Sequence, residues 1–304
     1  MLRFIIPLLI VSVCGIVLGL GYKYASVTRS RVGAFGSILM VIGFLMSLGY
    51  SFFEPSAWSD IRLWGIGIAM GLVLVSAFGL LVRANQIGCV STSWVVVNLS
   101  SVLAIVLAVL FLPNENFLRV DIFIVTVFIA MILALHAGMK GAGEGKETKA
   151  AIHPLFWPFM FLTFFLNGFF LFLMKIKEGM FPAGNSSGAT IAICFGTAGV
   201  LMTLYHVIAC CRRREVLWQR HDIIAGVTAG VAVGLGNTFI LQCMSLPAVV
   251  VYPIAQGVPM IGGVIAMALL YKERFNRAKA ISLFLAIAVL LLTMLRTYVA
   301  RNPP

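Results

Sequence analysis

Charge is what this chain has least of. Only 11% of its 304 residues are Asp, Glu, Lys or Arg, whereas an ordinary soluble domain carries about 25%. With 61% of the residues hydrophobic, there is too little polar surface to cover a water-soluble body, and the apolar excess must face lipid. Carboxylates are scarcer still. All ten, Glu54, Glu115, Asp121, Glu178, Asp222 and Glu273 among them, fall in loops or at the ends of apolar runs. An acid at mid-depth that alternates between proton and cargo is therefore missing, which disfavours proton-coupled export of cations. The four histidines (His136, His153, His206, His221) have neither metal-ligand nor catalytic spacing, and no phosphate-cradling or dinucleotide motif is present. No enzyme activity, metal or cofactor is expected. His206, just before Cys210, reads as a hydrogen-bonded packing histidine, with a titrating role as the alternative. Six cysteines lack the paired spacing of a zinc site or a disulfide framework and read as small buried apolar residues.

What the chain does have is long apolar runs. A helix needs about 20 apolar residues to cross a bilayer, because every backbone group in hydrocarbon must be satisfied internally. Cutting at charge, Pro and Gly clusters gives ten such runs: Phe4 to Tyr22, Val32 to Phe52, Leu63 to Val82, Gly88 to Leu112, Val120 to Ala137, Leu155 to Met174, Ala189 to Cys211, Ile223 to Cys243, Pro247 to Tyr271 and Ala278 to Leu295. The expected fold is all-α, integral and multi-pass. The first run, after Met1-Leu2-Arg3, is kept as a helix because no small-x-small cleavage site follows it. A Gly- and Lys-rich stretch, residues 139–154, reads as a flexible linker between residues 1–138 and residues 155–304. The net charge of +12 sits in short runs between apolar blocks, which points to topology and anionic headgroups and not to nucleic acid. Most of the 22 Lys and Arg lie in loops after the odd-numbered runs, so both termini are expected outside the cytoplasm, in a cell inner membrane.

The halves resemble each other. A shift of about 158 residues lays Gly88 to Ala134 over Leu246 to Leu292, setting Trp94 on Tyr252, Asn98 on Gln256, Glu115 on Glu273 and Arg119 on Arg277. A slightly smaller shift brings Lys23 onto Lys175, each where a first helix ends, and Gly15 onto Asn167. Since five helices is an odd number, a second copy enters the membrane from the opposite face, and the repeat is inverted. Inverted repeats can exchange roles, giving two conformations open to opposite sides.

On these residues the chain resembles the drug/metabolite transporter superfamily, in its EamA-like ten-helix branch. The resemblance covers nearly the whole chain and rests on the five-plus-five helices, Glu115 and Glu273 in the turns before each last helix, Lys23 and Lys175, and the Tyr252-Pro253 step. It implies a central cavity between the halves, alternating access, and cargo among amino acids, sugars, nucleotide sugars and other metabolites. Pro113-Asn114-Glu115-Asn116 and Val95, where the second half has Pro253, depart from the usual pattern.

Polar groups in hydrocarbon are costly unless partnered or facing a cavity, so they point to a site. Asn98, Asn167, Asn237 and Gln256 are such groups, and amides suit neutral or zwitterionic cargo. Trp94 and Tyr252 lie one turn before Asn98 and Gln256, on the same helical stripe. Pro253 and Pro259 interrupt the ninth run and free backbone carbonyls beside the site. The plainer alternative is that the amides and aromatics pack between helices and the prolines only kink. The glycines of the eighth run, Gly226, Gly230, Gly234 and Gly236, suggest close helix contact. The expectation is a secondary transporter of a small neutral or zwitterionic metabolite, with a pocket on the fourth, sixth, eighth and ninth runs. A non-transporting membrane subunit or a membrane-embedded enzyme is the alternative. The expected partners are a small-molecule solute and the lipid bilayer, with a homodimer left open.

Overall fold

The computed structural model of the protein describes the chain apart from residues 1, 29, 88–89, 113–117, 141–153, 181–185, 215, 271–276 and 302–304. Glu115, Glu273 and nearly all of the linker lie outside the described residues. Helix makes up 92% of the structure, and no strand occurs among the described residues. In order, the helices are α1 (Leu2–Val27), α2 (Val32–Ser51), α3 (Ile61–Ile87), α4 (Val90–Phe111), α5 (Arg119–Lys140), α6 (Phe156–Met180), α7 (Ser187–Arg213), α8 (Arg220–Gln242), α9 (Ala248–Tyr252), α10 (Val258–Leu270) and α11 (Arg277–Arg301). A short 3-10 turn, Pro55–Ser59, precedes α3, and another, Cys243–Ser245, follows α8.

Six of these helices are long and apolar enough to cross a membrane: Phe4–Ala25, Val32–Ser51, Ile61–Ala84, Phe156–Gly179, Ser187–Arg212 and Arg220–Ser245. Their outward faces carry large apolar side chains. On α6, Trp157, Phe161, Phe165 and Phe169 recur every fourth residue and are all exposed, a stripe that water would reject and lipid accepts.

The chain forms two compact units. The first comprises residues 1–78 and 173–245, the second residues 79–172 and 246–304. Each therefore draws on both halves of the sequence. In the first unit α2 packs on α7 and α8, and α1 packs on α8. Glycine makes the α2–α8 approach. A Cβ at Gly226 would lie 2.6 Å from Ile38 Cβ, one at Gly230 2.7 Å from the Leu39 carbonyl, and one at Gly234 2.7 Å from the Gly43 carbonyl. These three recur every fourth residue on one face of α8, so any side chain there would push the helices apart.

The starts of α8 and α5 are each capped by a buried aspartate. Asp222, in the first turn of α8, accepts the Gln219 N–H at 3.1 Å and completes a capping box. It also accepts the Arg31 backbone N–H at 3.0 Å and pairs with the Arg31 guanidinium at 3.3 Å. In the second unit, Asp121 in the first turn of α5 accepts the Leu118 N–H at 2.8 Å. There α5 packs on α11, and α4 packs on both α5 and α9. Gly168 brings α6 against α4, since a Cβ there would lie 2.8 Å from the Ser100 carbonyl.

Candidate functional site

The second unit gathers most of the polar residues expected at a site. Asn98 is buried on α4, and its carbonyl accepts the Ser101 hydroxyl at 2.6 Å. Asn167, half-buried on α6, reaches across to α4. Its amide donates to Ser100 Oγ at 2.6 Å and to the Val97 carbonyl at 3.3 Å, one residue from Asn98. Both amides therefore converge on the same turn of α4, and the Asn167 hydrogens are spent holding α6 there. Trp94 lies on α4, although its side chain is outside the described set.

Tyr252 ends α9 fully buried, and its hydroxyl donates to the Leu171 carbonyl of α6 at 2.6 Å. The next five residues, Pro253–Gly257, wind as a π-helix before α10 begins. A proline at 253 has no N–H for the carbonyl one turn earlier, and Pro259 repeats the defect six residues on. A widened turn between the two prolines is the local answer, and such π segments recur at functional sites. Gln256 sits inside this widened turn, half-buried. Gly257 lets it seat closely, because a Cβ there would lie 3.1 Å from Met131 Cε on α5. An apolar groove of about 480 Å³, lined by Val96, Trp157, Pro158, Met160, Phe161 and Phe164, flanks α4 and α6 and contains none of the amides.

The remaining expected residues belong to the first unit. Asn237 is half-buried on α8 and Lys23 half-buried on α1. Lys175 is buried near the end of α6 and donates to the Met244 carbonyl at 2.5 Å. His206 is buried, with Nε2 2.6 Å from the Leu217 carbonyl and its ring beside Cys210, which is the packing role expected of it. Cys14, Cys194, Cys210 and Cys243 are buried and free, whereas Cys211 is exposed and departs from the burial expected of all six.

One cluster in this unit escapes a sequence reading. Lys177 and Glu178 stand at the end of α6, where charges normally reach water, yet Lys177 is completely buried and Glu178 nearly so. Facing them is Glu54, from the turn after α2, whose carboxylate accepts the Ala189 N–H at 3.1 Å at the start of α7. Burial pushes the Glu54 carboxyl above the usual range, against the opposing pull of the Ala189 and Gly188 N–H groups, the Lys177 charge and the Ser187 N–H. The only hint in the sequence is the Lys-Ile-Lys-Glu run closing an apolar block.

No family model matches the chain, and no curated protein matches it. A solved structure described only as "Crystal structure of protein" is similar over nearly its full length, with a TM-score of 0.74 at 14% sequence identity, covering 96% of this chain and 96% of that chain. At that identity the likeness speaks for the fold alone.

Proposed function

We propose that the chain is a secondary transporter that moves a small neutral or zwitterionic metabolite by alternating access. It is built as ten membrane-crossing helices in two inverted five-helix repeats of the drug/metabolite transporter kind. Six spans meet length and hydropathy outright, and four shorter apolar helices (Val96–Phe111, Val120–Ala134, Ala248–Gly263 and Ala280–Thr293) bring the total to ten. The observation that carries the reading is which helices meet. If α1–α5 and α6–α11 are two copies, with α9 and α10 as one broken span, then α2 packs on its own counterpart α7, α4 on its counterpart α9, and α5 on its counterpart α11. Like meeting like is what a two-fold axis produces, and an inverted repeat supplies one lying in the membrane plane. Each compact unit holds such contacts, α2 with α7 in the first and α4 with α9 and α5 with α11 in the second.

The amides Asn98 and Gln256 of the second unit, with Asn167 bonded to the turn of α4 that carries Asn98, are the cargo-reading groups in this proposal. The π turn at Pro253–Gly257 supplies the break in the ninth span. The protein resides in the cell inner membrane with both termini outside the cytoplasm. A thermal-shift screen of purified protein against a metabolite library tests it, because a ligand that binds only the folded state raises its stability. An amino acid or sugar that stabilises the wild type, but neither Asn98→Leu nor Gln256→Leu, is the expected result. A panel in which nothing stabilises the wild type, or in which those variants respond as the wild type does, contradicts the assignment.

A further inference from the structure

Four charges lie buried in the first unit around the junction of α6 and α7. Glu54 is 5% exposed, Lys175 7%, Lys177 0% and Glu178 8%. Removing an ion from water costs several kcal/mol even after relaxation, and buried polar atoms are normally all hydrogen-bonded. Here two groups follow the rule. Lys175 donates to Met244, and Glu54 sits on the first N–H groups of α7.

Three groups do not. Lys177 Nζ has no hydrogen-bond partner, and Glu178 Oε2 stands 3.9 Å away, beyond the roughly 3.2 Å reach of a hydrogen bond. Glu178 Oε2 is likewise buried without a hydrogen-bond partner, as is the hydroxyl of Ser186, the residue that caps α7. An ammonium, a carboxylate oxygen and a hydroxyl thus hold unspent donors and acceptors beside the helix start that Glu54 occupies. A purely structural ion pair would be expected to close to hydrogen-bond distance, and this one has not.

Charge decides what such a site takes. Two carboxylates and two ammoniums balance, so the ionised cluster gives neither a free cation nor a free anion a net attraction. A proton is accommodated differently, since it converts one carboxylate into an acid. The Lys177 ammonium acts on both Glu54 and Glu178, and Lys175 acts on Glu178, so either acid is read by the other members. Among the described residues, the other polar groups around the cluster are neutral: the α7 N–H groups, Ser186, the Met244 carbonyl and, on α2, Tyr50 beside Gly188. Burial already favours the acid form at Glu54, and an acid at Glu178 would gain a donor its carboxylate lacks.

We propose that the Glu54–Lys177–Glu178 cluster takes up and releases one proton in each working cycle, coupling the movement of cargo to the proton gradient. On uptake an O–H bond forms at a carboxylate oxygen, and on release that proton returns to water. No other bond changes. The proposal rests on the carrier reading above, and its first test does not need cargo.

Purified wild-type protein in lipid nanodiscs is titrated between about pH 5 and about pH 9 while infrared difference spectra follow the carbonyl stretch of protonated carboxylic acids. The expected result is an acid band that disappears within this window and is removed by Glu54→Gln or by Glu178→Gln. Lys177→Met is expected to move its midpoint up by about one pH unit, because the neighbouring cation that favours the carboxylate is gone. A wild type with no acid titrating in the window overturns the proposal, and that measurement needs no variant to fold. In the second test, liposomes holding the protein and an internal pH dye receive a mixture of neutral amino acids and hexoses. Entry or exit of protons with the solutes is expected. Solute exchange without proton movement overturns the coupling and leaves the carrier standing, whereas a titrating acid with no solute exchange at all overturns both.

Discussion

Arg296 Nε on α11 donates to Asp121 Oδ1 on α5 at 2.6 Å, with both side chains buried in the second unit. A second bond, from Nη2 to Oδ2 at 3.2 Å, makes the contact two-pronged, while the carboxylate also caps the start of α5. Removing one member of a buried pair strands the other charge. Arg296→Met or Asp121→Asn should therefore each cost about 3–5 kcal/mol. Changing both together to Met and Leu should cost much less than the sum of the two, apart from the lost cap. Thermal unfolding in detergent of the singles and the double reads this directly, and additive losses would mean that the pair is not coupled.

Gly230 on α8 offers a steric test of the first unit. Its absent Cβ would lie 2.7 Å from both the Leu39 carbonyl and Ile42 Cβ, so Gly230→Ala should destabilise by about 1–3 kcal/mol through overpacking. Gly49 and Gly79 are helical glycines with nothing within 4 Å of a Cβ. Alanine there should instead stabilise by about 0.5–1 kcal/mol. The three melting temperatures, measured side by side, check both signs.

The raised carboxyl of Glu54 makes stability depend on pH in a defined sense. Its folded form holds a proton more tightly than the unfolded chain does. Stability should therefore be fullest below the ordinary glutamate value of about 4.3 and fall as pH rises from there through the folded value. Glu54→Gln carries no such proton and should flatten that part of the curve. A wild type that gains stability over this span, or a variant that keeps the full slope, would contradict the assignment.

Asn167→Leu separates holding from cargo reading. It removes two hydrogen bonds to α4, and interhelical bonds in membranes average about 0.6 kcal/mol, with a maximum near 1.7. A modest drop in melting temperature is expected. Collapse of the protein would assign Asn167 a far larger structural role.

The helical fold was legible because lipid leaves the backbone no alternative, and a long apolar run declares a helix almost without regard to detail. The α8 glycines were legible for a similar reason, since four-residue spacing of small residues on an apolar run has few uses besides close approach. The prolines of the ninth apolar run announced an interruption, though not that it would take the form of a π turn with Gln256 inside it. The buried charges were not legible. Lys175 and Lys177 end an apolar run, where a cation ordinarily reaches headgroups or water, yet in the fold they meet Met244 and Glu54, both far away in sequence. Reading carboxylates by their depth within a run also missed Asp121 and Asp222, which lie at helix starts and are nonetheless fully buried because an arginine from another part of the chain meets each one.

Solute counterflow in proteoliposomes tests whether the protein carries solute by exposing one site to each side in turn. Vesicles loaded with an unlabelled solute from the stabilising set are diluted into trace labelled solute. An alternating-access carrier predicts transient accumulation of label inside, faster than in vesicles loaded with buffer. Uptake that is indifferent to what the vesicle contains, or no uptake above protein-free vesicles, would contradict it.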